Sequence, residues 1–197
     1  MGFTSDELDA FKGVSLPDLV GPGMRLLLVG INPGLQTAAV QAHFGRRGNR
    51  FYPALYYAGV VDRLIDASAG FDPDDRAHLI ARGVGITSLV TGATRRADEL
   101  DALQLRAGAE DLAQRVAKYR PTVVAMLGIT AYRIAFDNKK AVVGLQAGVI
   151  AGSQLWVLQN PSGLNAHASL ANLAAAYREA AVAAGIPVLD VPQVLSQ

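Results

Sequence analysis

The chain has 197 residues, 51% hydrophobic and 18% charged, with 18 Lys and Arg against 17 Asp and Glu. That composition is apolar enough to close a full core and too poor in charge for a chain whose main state is disordered. It contains no cysteine, which excludes disulfide scaffolds, Cys-ligated zinc, iron–sulfur clusters and thiol nucleophiles together.

In chain order, residues 1–10 carry Asp6, Glu7 and Asp9 with no basic stretch leading into an apolar one. No signal peptide is read there, so a cytoplasmic protein is expected. Residues 1–23 read as a short helix followed by a Pro/Gly lead-in segment. Short runs rich in Val, Leu and Ile at 25–29, 85–90, 122–127 and 154–158 look like buried parallel strands. Helical period recurs at 49–58, 74–81, 105–119, 130–136 and 169–184, with Pro121 stopping the third and Gly185 and Pro187 following the last. Residues 141–158 lack charge, yet Gly144, Gln146, Gly148, Gly152, Ser153 and Gln154 interrupt them, so two buried strands and a turn are expected rather than a membrane span. Residues 187–197 read as a terminal strand or tail.

Strands alternating with helices over this length predict a three-layer α/β/α sandwich with a mostly parallel sheet, in a single domain over 1–197. In such a sheet ligands bind beyond the carboxyl ends of the strands. Net charge is only +1, but residues 19–61 and 138–178 hold none of the acids, while Arg25, Arg46, Arg47, Arg50, Lys139, Lys140 and Arg178 lie within them. This asymmetry is expected if the two stretches build one electropositive face.

Two turns follow predicted strands. Gly30-Ile31-Asn32-Pro33-Gly34 comes after the first, where the proline holds Asn32 extended at the lip of the sheet and Gly34 permits a tight reversal. Asn160-Pro161-Ser162-Gly163-Leu164-Asn165-Ala166-His167 comes after the last. Its small polar residues and N–H groups before a helix suit a phosphate oxygen, and Leu164, apolar within a polar turn, is a candidate wedge for a base stack. Taken alone, Asn-Pro-Gly is also a common turn signal.

The ordered set Gly30-Ile31-Asn32-Pro33-Gly34-Leu35, Asn49-Arg50-Phe51, Gly85-Ile86-Thr87-Ser88-Leu89-Val90 and Asn160-Pro161-Ser162-Gly163-Leu164 resembles the mismatch-specific uracil-DNA glycosylase and thymine-DNA glycosylase family. The resemblance covers roughly residues 25–185. It implies hydrolysis of the N-glycosidic bond of uracil, or of thymine or a damaged pyrimidine, flipped out of mispaired duplex DNA, with no cofactor or metal. Asn32 matches the residue that holds the attacking water. An amide can orient water and stabilise positive charge on the sugar, but cannot take the proton as a carboxylate would, so slow chemistry is expected. Backbone N–H groups at Ile31 and Phe44 match the donors to the departing base, and the Phe44 ring matches the aromatic on which that base stacks. Thr37 is expected near the pyrimidine 5-position and Ser88 at the pocket rim.

Asn160, Ser162, Gly163 and Leu164 match the DNA-contacting motif. Where the best-known members place an arginine shortly after the leucine, this chain has Asn165, Ala166 and His167, and His167 is the candidate substitute. Asp98, in the loop 91–101 beside Arg95 and Arg96, is a candidate base or stabiliser of the cationic sugar. Arg46, Arg47, Arg95 and Arg96 are candidate phosphate contacts. His43, His78 and His167 have no metal-ligand spacing. The expected partner is double-stranded DNA, met by a monomer away from membranes. Two other readings stand beside this one: a noncatalytic DNA-lesion binding module, and a small-molecule nucleoside hydrolase on the same sheet.

Overall fold

The computed structural model describes residues 3–163, 165 and 168–191. Strands β1 (Leu26–Gly30), β2 (Val84–Ser88) and β3 (Val123–Leu127) are buried at every position. Successive side chains of a strand point to opposite faces, and here both faces are apolar. Leu26 and Leu28 enter one core cluster, Leu27 and Val29 the other. A parallel strand with two buried faces must lie between two layers. β5 (Ser153–Leu158) extends the parallel set beside β3, and β4 (Gly144–Ile150) pairs antiparallel with β5, giving the order β2-β1-β3-β5-β4.

Helices α3 (Phe51–Tyr57), α4 (Pro73–Ala81) and α7 (Leu170–Ala183) cover one face, where Phe51, Leu55, Leu79, Leu173 and Tyr177 share a core cluster with Leu26, Leu28 and Ile86. Helices α5 (Ala102–Tyr119) and α6 (Ile129–Ala135) cover the other. On α5 the buried Leu105, Ala109, Leu112 and Val116 form one stripe at helical spacing. A capping box between Asp101 and Gln104 opens this helix, and Arg120 in the left-handed conformation closes it before Pro121. Removing the Leu112 side chain from that stripe would cost about 2–5 kcal/mol, because the site cannot collapse around the void. The three-layer sandwich expected from the alternation is the fold observed.

Two local features differ from the sequence reading, and a third decides between its alternatives. α2 (Leu35–Val40), starting directly after the first Asn-Pro turn, is six residues long and too short to print a period. Residues 141–158 do form two strands, but β4 is an edge, with Leu145 and Val149 58% and 67% exposed and a register shift between them. That corrects the expectation of two buried strands: a charge-free run marks β-propensity as readily as burial. Residues 187–191 form no strand, and the rest of the terminal segment lies outside the described residues. Among the described residues no helix is long and apolar enough to cross a membrane. At the other end, α1 (Ser5–Asp9) opens with a Thr4–Glu7 capping box. The four parallel strands end on one edge of the sheet, and the crevice lies there.

Candidate active site

The crevice encloses about 680 Å³, within the range of small-molecule sites. Residues 30–37 after β1, Ser88 ending β2, Leu127 ending β3, and Asn160 and Ser162 after β5 line it. Parallel topology thus brings the two Asn-Pro turns, remote in sequence, to one rim.

Asn32 is fastened through its amide nitrogen. Nδ2 donates to Thr94 Oγ1 at 2.7 Å, to Gly92 O at 3.2 Å and to Pro33 O at 3.3 Å. The Thr94 hydroxyl gives its own proton to Arg96 O at 2.7 Å, so toward Asn32 it can only accept. Thr94 is held in turn by its backbone N–H, which donates to Pro33 O at 3.1 Å. Three acceptors around one NH2 group settle which way the amide faces, and Oδ1 is the atom left over. Among the described residues nothing donates to it. An amide oxygen with an open lone pair, on a residue that lines the crevice, can accept from a water and turn the water's own lone pair outward. No sequence signal marks Thr94 for this role, because its partner lies 62 positions away and a threonine in a loop has many uses.

Phe44, half-buried on the same crevice, holds φ of +57°, in the left-handed region. One face of its ring stacks on Phe51, centroids 3.9 Å apart and 14° from parallel. The ring edge approaches the backbone of Gly30, where a Cβ would meet Cζ at 3.1 Å, so β1 ends in the one residue type that leaves this space. Beneath Phe51 the buried Tyr177 packs edge-on at 5.9 Å, and burial pushes its hydroxyl pKa up. The preceding His43 is buried, its Nε2 lies 3.1 Å from Pro17 O, and burial lowers its pKa, which keeps the ring neutral at pH 7.

Thr37, buried on α2, and buried Ser88 both line the crevice, as does Ile31. Ser88 is braced from behind, because Arg115 on α5 donates to Ser88 O at 2.9 Å and pairs with Asp18. Asp98 also reaches the crevice, but with its carboxylate engaged: Arg96 Nε donates to its Oδ1 at 2.9 Å and Nη2 to its Oδ2. That guanidinium holds the Asp98 carboxyl below the usual carboxylate range, so it is a permanent anion and a weakened base. Arg95 lines the crevice as well and donates to Asp9 and Ser5 of α1. The expected phosphate contacts Arg95 and Arg96 are thus already paired with acids, whereas Arg46 and Arg47 are exposed with no acid in salt-bridge reach among the described residues. Arg46 lines the crevice; Arg47 lies outside the lining.

The electropositive face is narrower than the acid-free stretches suggest. Arg25, Arg50 and Arg178 direct their guanidinium groups to backbone carbonyls of Gly185, of residues 162–168 and of Ala58. Gly34 also departs from expectation: it is extended at φ −76° as the N-cap of α2, and the space about its Cα is open, so no reversal depends on it. In the second turn Asn160 Oδ1 accepts from Ser162 N at 2.9 Å, and Asn165 Nδ2 donates to Asn160 O at 3.0 Å. Gly163 lies against Gly48, outside the crevice lining. Leu164 and His167 lie outside the described residues.

Comparison with known proteins agrees with this architecture. A solution NMR structure of a Methanosarcina acetivorans protein, provisionally described as a uracil DNA glycosylase, superposes with a TM-score of 0.55 at 14% identity, over 84% of this chain and 96% of that one. This likeness concerns the fold. The model of the uracil DNA glycosylase superfamily matches residues 17–183, spanning both Asn-Pro turns and all five strands. The chain therefore belongs to the uracil DNA glycosylase superfamily.

Proposed function

We propose that the protein hydrolyses the N-glycosidic bond of uracil flipped out of mispaired duplex DNA and leaves an abasic site. The observation that carries the reading is the open Oδ1 of Asn32, fixed by three acceptors around its amide nitrogen on the crevice that Phe44 also lines. In this mechanism the base stacks on Phe44, and a water held by Asn32 Oδ1 faces C1′ of the sugar. The water oxygen bonds to C1′ as the C1′–N1 bond breaks. The bonding pair leaves with the base, spreads onto its O2, and is met by the N–H groups of Ile31 and Phe44. The water's proton passes to solvent. Asp98, its basicity lowered by Arg96, acts as fixed negative charge near the cationic sugar rather than as a proton acceptor. Without a general base the chemical step is slow, and binding supplies more of the discrimination. Thr37 and Ser88 meet the edge of the pyrimidine, while Arg46, Arg47, Asn160, Ser162 and Gly163 face the DNA backbone, with Leu164 filling the gap.

The test is a U·G duplex under single-turnover conditions with excess protein. An alkali-labile break at the uracil position is the expected result. Retention of the duplex without breakage would assign the chain to the lesion-binding class. Release of uracil from free deoxyuridine with indifference to duplex would assign it to the nucleoside hydrolases.

A further inference from the structure

Arg50 is the first residue before α3, and its side chain leaves its own element to serve another. Nη2 donates to Ser162 O at 2.7 Å and to Asn165 O at 2.8 Å, and Nη1 donates to Ala168 O. Its backbone N–H donates to Pro161 O at 3.0 Å. Four hydrogen bonds from one residue thus reach four different carbonyls of the second Asn-Pro segment. No acid pairs with this guanidinium among the described residues, so its charge is matched only by carbonyl dipoles. Its Nε is buried and has no hydrogen-bond partner among the described residues. A half-buried cation matched only by carbonyl dipoles is costly to hold in place, and a fold that needed only a capped helix would not need it. A second contact fastens the same two segments: a Cβ on Gly163 would lie 2.8 Å from Gly48 O, so the backbones of 46–50 and 161–163 touch directly.

We propose that Arg50 is a positioning residue, which fastens Pro161, Ser162, Asn165 and Ala168 to residues 46–50 so that the exposed Arg46 and Arg47 and the second Asn-Pro turn meet duplex DNA as one surface. It touches no phosphate itself. The inference rests on the assignment of these segments as DNA contacts, under the proposed function. Its signature differs from that of a phosphate contact. Each phosphate contact contributes about 0.9 to the slope of log K against log salt on duplex DNA, whereas a residue acting through geometry changes affinity and leaves the slope in place.

The experiment measures binding of the full chain to a duplex carrying 2′-fluoro-2′-deoxyuridine opposite guanine, whose fluorine disfavours a cationic sugar and so prevents turnover, across a series of salt concentrations. Arg50→Gln should raise Kd by about tenfold or more, with the salt slope unchanged, and Arg50→Lys should recover only part because one ammonium nitrogen cannot stand in the places of two guanidinium nitrogens. Arg46→Ala should instead lower the slope by about one. A folded Arg50→Gln protein with wild-type Kd overturns the inference, as does a slope loss matching that of Arg46→Ala. Should the Arg50 variants fail to fold, Gly163→Ala keeps Arg50 in place and wedges the two segments apart. It is expected to weaken duplex binding at constant slope, and unchanged binding again overturns the inference. Failure of the proposed function looks different: there the wild-type chain itself neither retains the duplex nor excises uracil from its unfluorinated counterpart.

Discussion

The two Asn-Pro turns open on the same dipeptide, yet the fold uses their amides in opposite ways. Asn160 accepts the Ser162 N–H with its side-chain oxygen, closing its own turn. Asn32 gives only its nitrogen away, to Gly92, Pro33 and Thr94, and keeps the oxygen. The first arrangement builds structure and the second withholds an acceptor for a ligand. Which asparagine can hold a water is thus decided by what surrounds the NH2 group, and the local sequence is silent on it.

The widest gap between the two should appear on removing each amide. Asn32→Ala is expected to lower single-turnover excision from a U·G duplex by about 10²–10³-fold, the usual cost of losing one preorganised polar group at a reacting centre. A comparable loss from Asn160→Ala would break the distinction. Thr94→Ala comes next, because it frees the Asn32 nitrogen to rotate. Loss of one such hydrogen bond is worth about 1.4 kcal/mol, or about tenfold in rate. Thr94→Ser should restore most of it, since the hydroxyl that relays the bond returns; equal rates in the two variants would show that the methyl group matters instead. Asn160→Ala should have a smaller effect, about fivefold in duplex Kd from one hydrogen bond of about 1 kcal/mol, read by titration with the fluorinated duplex.

The smallest effect concerns His43, next to Phe44. Burial lowers its pKa, so protons bind more readily to the unfolded chain, whose histidine titrates near about 6.5. His43 therefore destabilises nothing above that pH and draws the protein toward unfolding as pH falls below it. The thermal midpoint of the wild type should drop between about pH 7 and pH 5 more steeply than that of His43→Gln. Parallel curves would show that the carboxylates alone account for the acid side.

Much of the architecture is visible in the chain itself. The four parallel strands declare themselves because their runs are short, apolar and bounded by turn residues, and the helices read at 105–119 and 169–184 because they are long enough to print a period and are followed by Pro121 and by Gly185 and Pro187; the first turn of α5, capped at Asp101, escapes that reading. The crevice is legible because parallel topology fixes where strand ends go. Its electrostatics are not. Arg95 and Arg96 look like free cations in sequence, but Asp9 comes from α1, 86 positions away, while Asp98 lies two residues on, too near to be distinguished from a chance neighbour. Arg50 is likewise one basic residue among several, and its carbonyl partners lie more than 110 positions away and carry no side-chain signature at all. Residue types announce periodicity; they do not announce which cation will face a backbone oxygen.

The left-handed backbone of Phe44 sets two contributions to stability against each other. For an L-residue with a bulky side chain such a φ costs roughly 1–2 kcal/mol, and glycine would remove that strain. Glycine would also forfeit the stacking on Phe51, an aromatic contact of about 0.5–1.5 kcal/mol beyond the area it buries. A bulky ring held in the left-handed region at the lip of a crevice therefore sets a main-chain cost against a side-chain contact, the kind of local strain that collects where geometry serves a site.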